Sequence, residues 1–328
     1  MKLGRNHMAA ALAALFVAAP AVAAPLTLYT PWPEDRLMEL QQAMDEQGLD
    51  IQITFYRAAG VEMNTTFVNE QRAGLYKADY IMADADDLIN HIEAGLLSEQ
   101  PVADPDAFVE SALDPTNHWV PIEYSPFFIA YNTNLVQGED IPDSWHDLAN
   151  PKFRDMIAMA DPRTSVAIQY PITFWTETRA DEFGWEFIEE LGAQNPLLAT
   201  GHSQLVDMLI RGEAAMIPVM LAPVLNPIAN GEPVAVALAA EGAPISLVAG
   251  AVVETAPNKD AAIAFHEWLG SEAGQQALDD LDLAIAFKAI DQTLPDGTDL
   301  RQFESTRLAV PADLRASNIE RVSAAFGL

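Results

Sequence analysis

The chain contains no cysteine. It therefore forms no disulfide and carries no lipid on an N-terminal cysteine. Lysine is almost as scarce, with five in 328 residues, and 17 basic side chains stand against 48 acidic ones for a net charge of -31. Such a field repels nucleic acid and anionic lipid, so neither a nucleic-acid partner nor direct membrane insertion is expected. The acids are scattered and not gathered into a tail, which describes a solvated surface and says little about a ligand. Catalytic signatures are missing too: G-x-S-x-G, H-E-x-x-H, the P-loop and G-x-G-x-x-G are all absent. His91, His118, His146, His202 and His266 are dispersed without metal-ligand spacing. No catalytic residue, metal site or cofactor is expected.

What is present begins with an N-terminal leader. Lys2 and Arg5 precede an apolar run over residues 8–20 and then Ala21-Val22-Ala23. A basic start, a short apolar run and an A-x-A site make a secretory signal, with cleavage predicted after Ala23 because Pro25 blocks it one residue later. The alternative, a membrane anchor, needs a run of about 20 apolar residues. Removing Lys2 and Arg5 leaves 15 basic against 48 acidic side chains, or -33. An exported, untethered protein fits a Gram-negative periplasm. Half of the residues are apolar, and the length exceeds what one hydrophobic core usually supports, so two lobes are expected.

Strand and helix patterns alternate along the chain. "LTLYT" at 26–30 reads as a strand. A helix follows, with Glu34 and Asp35 in its first turn, Leu37, Leu40 and Met44 on one face, and Gly48 as the stop. Strands are predicted at 51–55, 80–82, 156–160 and 214–220. Helices are predicted at 181–191, at 203–211 with Ser203 as N-cap, and as a pair over 257–278 in which Gly270 stops the first and Ser271 caps the second. This alternation points to mainly parallel sheets covered by helices. "WVPIEYSPFFIAYNT", residues 119–133, is the odd segment: two apolar runs separated by Glu123, Tyr124, Ser125 and Pro126. Either it is an ordinary bulge in one sheet, or a strand that leaves one sheet and enters another.

The order of motifs resembles the type II periplasmic solute-binding proteins of ABC importers, a family that includes maltose-, iron-, polyamine- and thiamine-binding proteins. The resemblance rests on "LTLYT", "VPIEYSPFFIAYNTNLV" followed by "IPDSWHDLANPKF", then "ADPRTS", "RGEAAMIPV" and "APNKDAAIAFHEWLGSEAGQQAL". "VPIEYSPFFIAYN", "DPRTS" and the "LPDGTDL" tail are most similar to the thiamine-binding branch. The implied architecture is α/β: two lobes, each a mainly parallel sheet flanked by helices, with two hinge crossings. One crossing falls near 123–126 and the other near 247–250, where Gly250 would absorb backbone rotation. The implied division is 1–23 leader, 24–123 first part of lobe 1, 124–246 lobe 2, and 247–328 the return to lobe 1 with the C-terminal helices. The implied partners are a small-molecule solute and an inner-membrane ABC permease, with the binding protein acting as a monomer.

Ligands of open α/β sheets bind beyond the carboxyl ends of strands, where helix N-termini present free N–H groups. That rule selects Thr30 and Trp32, Arg57 and Gly60, Asp84, and the trio Arg163, Thr164 and Ser165 expected at a helix start. Glu123, Tyr124, His202 and Met220 complete the expected ring. Each has a plainer role open to it: surface packing for Trp32, capping for Asp84, Thr164 and Ser165, pairing with Asp161 for Arg163, a backbone N–H partner for Glu123. Iron-binding relatives use adjacent second-lobe tyrosines, but the matching stretch here is "IPVMLAPVLN", which disfavours ferric iron. Thiamine-binding relatives enclose the ring with aromatics that the corresponding places, His202 and "DLAIAFKAI", do not supply. The reading from sequence is a small polar organic solute, zwitterionic or anionic, with ferric iron or a carboxylate-dependent periplasmic hydrolase as alternatives.

Overall fold

The computed structural model describes residues 24–58, 60–281, 283–290, 293, 305–308 and 310–328. The leader, its cleavage site and "LPDGTDL" lie outside the described residues.

The chain opens as β1 (Ala24–Thr30), α1 (Glu34–Glu46), β2 (Ile51–Arg57), α2 (Gly60–Arg72), β3 (Tyr80–Asp84) and α3 (Ala85–Glu93). Helix α1 starts behind Pro33, keeps two acids in its positive first turn and buries Leu37, Leu40 and Met44. Gly48, at φ +75°, turns the chain back toward β2. The long strand β4 (Trp119–Asn132) follows. Beyond it come β5 (Ala158–Ala160), α4 (Gln169–Thr173), α5 (Gly184–Ala193), β6 (Leu197–Ala199), α6 (His202–Ile210), β7 (Met216–Met220), α7 (Ala222–Ala229) and β8 (Val234–Ala237). The chain closes with β9 (Ala243–Val252), α8 (Lys259–Leu269), α9 (Glu272–Asp279), β10 (Ser305–Arg307) and α10 (Ala312–Phe326).

Strand direction places the cleft. In the first lobe β2, β1, β3 and the first half of β4 run one way, while β9, antiparallel to both β3 and β4, runs the other with β10 beside it. In the second lobe β7 and β8 are antiparallel to the second half of β4, and β5 and β6 align with β7 through the parallel Ile157–Met216 bridge. β4 carries its direction across the junction, so strands parallel to it in the first lobe and antiparallel to it in the second all end at the same place. The carboxyl ends of both sheets face each other.

Strand β4 is unbroken. It changes partners where the expected interruption falls: Pro126 is its last pair with β9, and Phe127 is its first with β7. A proline that donates no hydrogen bond is tolerated at that seam, and a register shift between Pro121 and Glu123 supplies the local irregularity. Two hydrophobic cores divide at the same point, Tyr124 belonging to one and Phe127 to the other.

The second crossing lies upstream of its expected position. Ala239 belongs to the second core and Ile245 to the first. Gly242, at φ +91°, makes the turn between them while its carbonyl holds the Trp145 indole at 2.8 Å. Gly250, expected to flex, sits inside the first sheet opposite Met82 and Val120. A Cβ there would lie 2.6 Å from the Tyr80 ring and 2.7 Å from Ile122. Its small size serves close packing and not rotation. A third tie comes from the C-terminus. Ser305 and Arg307 bond Ser111 and the Leu113 carbonyl in the first lobe, whereas Leu308, Val310 and Val322 join the second core and α10 lies along α5.

Substituting Gly250→Ala is expected to lower stability by about 1–3 kcal/mol through overpacking, because the Tyr80 ring is held by His266 and Phe265. Urea unfolding monitored by circular dichroism checks this, and an unchanged midpoint would count against it.

Candidate functional site

Asp84 ends β3 and Glu123 lies on β4, and both register with Val248 of the strand between them. Residues directly opposite in an antiparallel ladder point to the same face. The carboxylates therefore flank Val248 on one side of the sheet, with α-carbons roughly 10 Å apart, two strand spacings. All three residues are partly exposed. Ser125 and Ser246, one alternation further along, face each other on that side, and Ser125 donates to Glu123 at 2.9 Å. The second lobe contributes Tyr170, on the helix packed against β9 and with its hydroxyl near Ser246, and the Phe127 ring, with His202 at 5.8 Å and Tyr170 at 6.5 Å between ring centroids.

The electrostatics of this face are unusual. Burial pushes the Asp84 carboxyl up to about 7, with Asp87, Asp86 and Glu123 adding repulsion and Arg315 of α10 opposing it. Glu123 is also raised by burial, against the Ser125 hydroxyl and the Arg36 charge. Asp86 and Asp87 shift upward by burial as well; the Val310 N–H holds Asp86 at 2.8 Å, and Asn64 holds Asp87 at 2.6 Å. Among the described residues no side chain or backbone group hydrogen-bonds the Asp84 carboxylate and no cation pairs with it, although it occupies the N-cap position of α3. Burial depresses His202 to about 4, so its ring is neutral, and both ring nitrogens are shielded from solvent without a partner. Tyr170 is raised by burial and by the Asp84 and Asp86 charges, so its phenol stays protonated.

The other expected residues are placed as follows. Thr30 is fully buried and accepts the Trp32 N–H at 3.1 Å. Trp32 is itself buried, with the Arg36 guanidinium over its ring at 5.4 Å and Arg57 on its carbonyl at 3.0 Å. Gly60 starts α2, and its carbonyl receives Asn64. Tyr124 points away from Glu123, bonding Ser111 and Ser305. Met220 is partly exposed opposite Phe127. Arg163 is exposed and closes a bidentate pair with Asp161, 2.6 Å at its shortest. Thr164 and Ser165 do not open a helix: their N–H groups are used on the Asp161 carbonyl, and α4 begins only at Gln169. Ser203 is likewise not an N-cap. Gly201 holds that position in extended geometry, and the Gln204 side chain reaches back to the Thr200 N–H at 2.9 Å. Tyr170, Ser246 and Val248 were not among the expected residues. They become visible only through strand register, because "VAIQYPITF" and "ISLVAG" read simply as core.

Two separate cores, strands that end face to face and a polar floor between them define a two-lobed clamp for a small molecule. Residues 77–303 match the family described as bacterial extracellular solute-binding protein, and the chain belongs to that family. It is the solute-binding component of an ABC importer, which hands a small molecule to a membrane permease. No curated protein matches it in sequence. Solved structures with the same fold include iron-bound HitA from Pseudomonas aeruginosa (TM-score 0.73, 20% identity, 93% of this chain and 99% of that one). AfuA from Actinobacillus pleuropneumoniae, holding fructose 6-phosphate, gives 0.68 at 20% identity over 93% and 99%. A periplasmic thiamin binding protein gives 0.67 at 20% over 92% and 96%. At these identities the likeness speaks for fold alone. Among the described residues no helix is long and apolar enough to cross a membrane.

A carboxyl raised from 3.8 to about 7 costs roughly 4 kcal/mol of stability once it is ionised in both states. The sign follows from which state ionises first. Below about pH 4 both states are protonated and no cost exists; it accumulates as the unfolded state ionises and levels off above about pH 7. Asp84→Asn is therefore expected to stabilise the protein by about 2–4 kcal/mol at pH 8 and by almost nothing at pH 4. Denaturation midpoints at the two pH values test it, and equal gains at both would contradict it.

Proposed function

We propose that this chain works in the periplasm as a freely diffusing monomer, released from its leader after Ala23 and carrying no lipid. It holds one small polar organic solute between Asp84, Glu123 and Ser246 on one side and Tyr170 and His202 on the other. The observation that carries this reading is the convergence of both lobes on the Ser246–Val248 segment of β9. Groups from two independently packed bodies meeting on one strand give a solute differential contact with the closed arrangement, the requirement for a ligand-driven shift.

No turnover is proposed. Two carboxylates flank the floor, as a hydrolase would require, but Asp84 and Glu123 lie among binding groups with no activated nucleophile identified beside them. The family and the similar structures are binding proteins. Ferric iron is the second reading, favoured by the iron-bound HitA likeness. Against it, the stretch 217–226 contains no tyrosine, and Tyr170 is kept protonated by its surroundings.

Thermal melts across sugar phosphates, phosphonates, polyamines, amino acids, thiamine analogues and ferric citrate test the reading. A true solute at a hundredfold excess over its Kd adds about 2.7 kcal/mol, and mass spectrometry should recover it unchanged. Conversion of the stabilising compound to a product would contradict a pure binding role. A tyrosinate charge-transfer band with ferric citrate would favour iron.

A further inference from the structure

The geometry points to an organic cation as the solute: an ammonium or similar group seated over Val248, bracketed by Asp84 and Glu123 and faced by the Tyr170 ring. This deepens the solute-binding reading and rests on it.

Three independent features converge. The first is placement. Asp84 and Glu123 come from different strands and meet over one apolar residue because both register with Val248. This is a sheet-imposed bracket, not a run of surface acids. The second is the absence of a partner. Asp84 is densely surrounded by protein, yet among the described residues its carboxylate receives no hydrogen bond and no cation, whereas its neighbours Asp86 and Asp87 are tied to Val310 and Asn64. A largely desolvated carboxylate left open is a group awaiting a counter-charge. The third is the opposite wall. The Tyr170 ring lies at this wall, backed by the fully buried Phe127 ring, and His202 is neutral with two unpartnered ring nitrogens. Rings attract a cation, and a neutral imidazole adds no repulsion. An anion would instead meet Asp84, Asp86, Asp87 and Glu123. The cations nearby are Arg315, which acts on Asp84, Asp86 and Asp87, Arg307, which acts on Asp86 and lies over Trp119, and Arg36, which acts on Glu123 and lies over Trp32.

A cation at this bracket stabilises the ionised form of Asp84, so binding releases a proton near neutrality and weakens as Asp84 protonates. With Asp84 at about 7, affinity falls about fifty-fold between pH 7 and pH 5. His202, already neutral, and Tyr170, protonated throughout, do not contribute to that slope.

Isothermal titration of the mature protein with putrescine, spermidine, choline and glycine betaine tests the assignment, with citrate and fructose 6-phosphate as anionic probes. The expected result is saturable binding of at least one cation, with the pH slope above. Asp84→Asn and Glu123→Gln should each weaken it at least tenfold while melting no lower than the parent, since each removes a costly buried charge. Binding of an anionic probe alone, or a cation affinity untouched in both variants, overturns the cation assignment and leaves the clamp standing. Silence toward these probes and toward the broader panel above overturns both.

Discussion

The ladder between β4 and β9 is the constraint on which the rest depends. It runs from Trp119 opposite Ala251 to Pro126 opposite Ile245. Its first part lies in the first lobe's sheet. Its last pair hands β4 over to β7 without a break. Because one strand carries its direction through the junction, the strands of both lobes must end at that junction, and the ligand face follows from topology. The same ladder holds Val248 between Asp84 and Glu123. A one-residue slip would turn every one of these side chains to the other face of the sheet, so the site and the crossing stand or fall together.

The polar floor is held at a cost to folding. Desolvation raises Asp84, Asp86, Asp87 and Glu123 together, and a chain selected only for stability would replace such groups with apolar ones of similar volume. Local rules are most often broken where function requires it. The contrast with the surface is instructive. Exposed acids such as Glu213 and Glu254 are lowered by Arg211 and Lys259, so the chain pairs acids where water already screens them. It leaves Asp84, on the desolvated floor of the cleft, without a cation in contact. The C-terminal segment supplies part of the compensation, through the Val310 N–H on Asp86 and the field of Arg315, and Asn64, Ser125 and Arg36 supply more of it.

Much of this was legible from residues alone. Elements with strong periodicity and clear stops, such as α1 between Pro33 and Gly48, fall where their patterns put them. Ser271 caps α9, accepting the Gly274 N–H at 3.1 Å. The two-lobed α/β fold followed from the order of motifs. What the sequence could not carry was register and packing distance. Gly250 looks like a hinge until Tyr80 and Ile122 are seen against it. Thr164 and Ser165 look like helix-start donors until the Asp161 carbonyl is seen taking their N–H groups. Tyr170 reads as core because its neighbours are apolar, and only its place beside Ser246 of the other lobe marks it as a cleft residue. Acids at strand ends could be named from sequence, but that Asp84 and Glu123 share Val248 requires strand order.

The lack of native cysteine makes a direct test of the clamp clean. Val61 at the start of α2 and Val166 in the loop before α4 are both exposed, one on each lobe. Spin labels attached at V61C and V166C report the separation of the lobes by pulsed electron resonance, with and without each cation and anion probe. The account predicts a shorter and narrower distance distribution with at least one of them. An identical distribution under every condition, in a protein shown by calorimetry to have bound its solute, would contradict it.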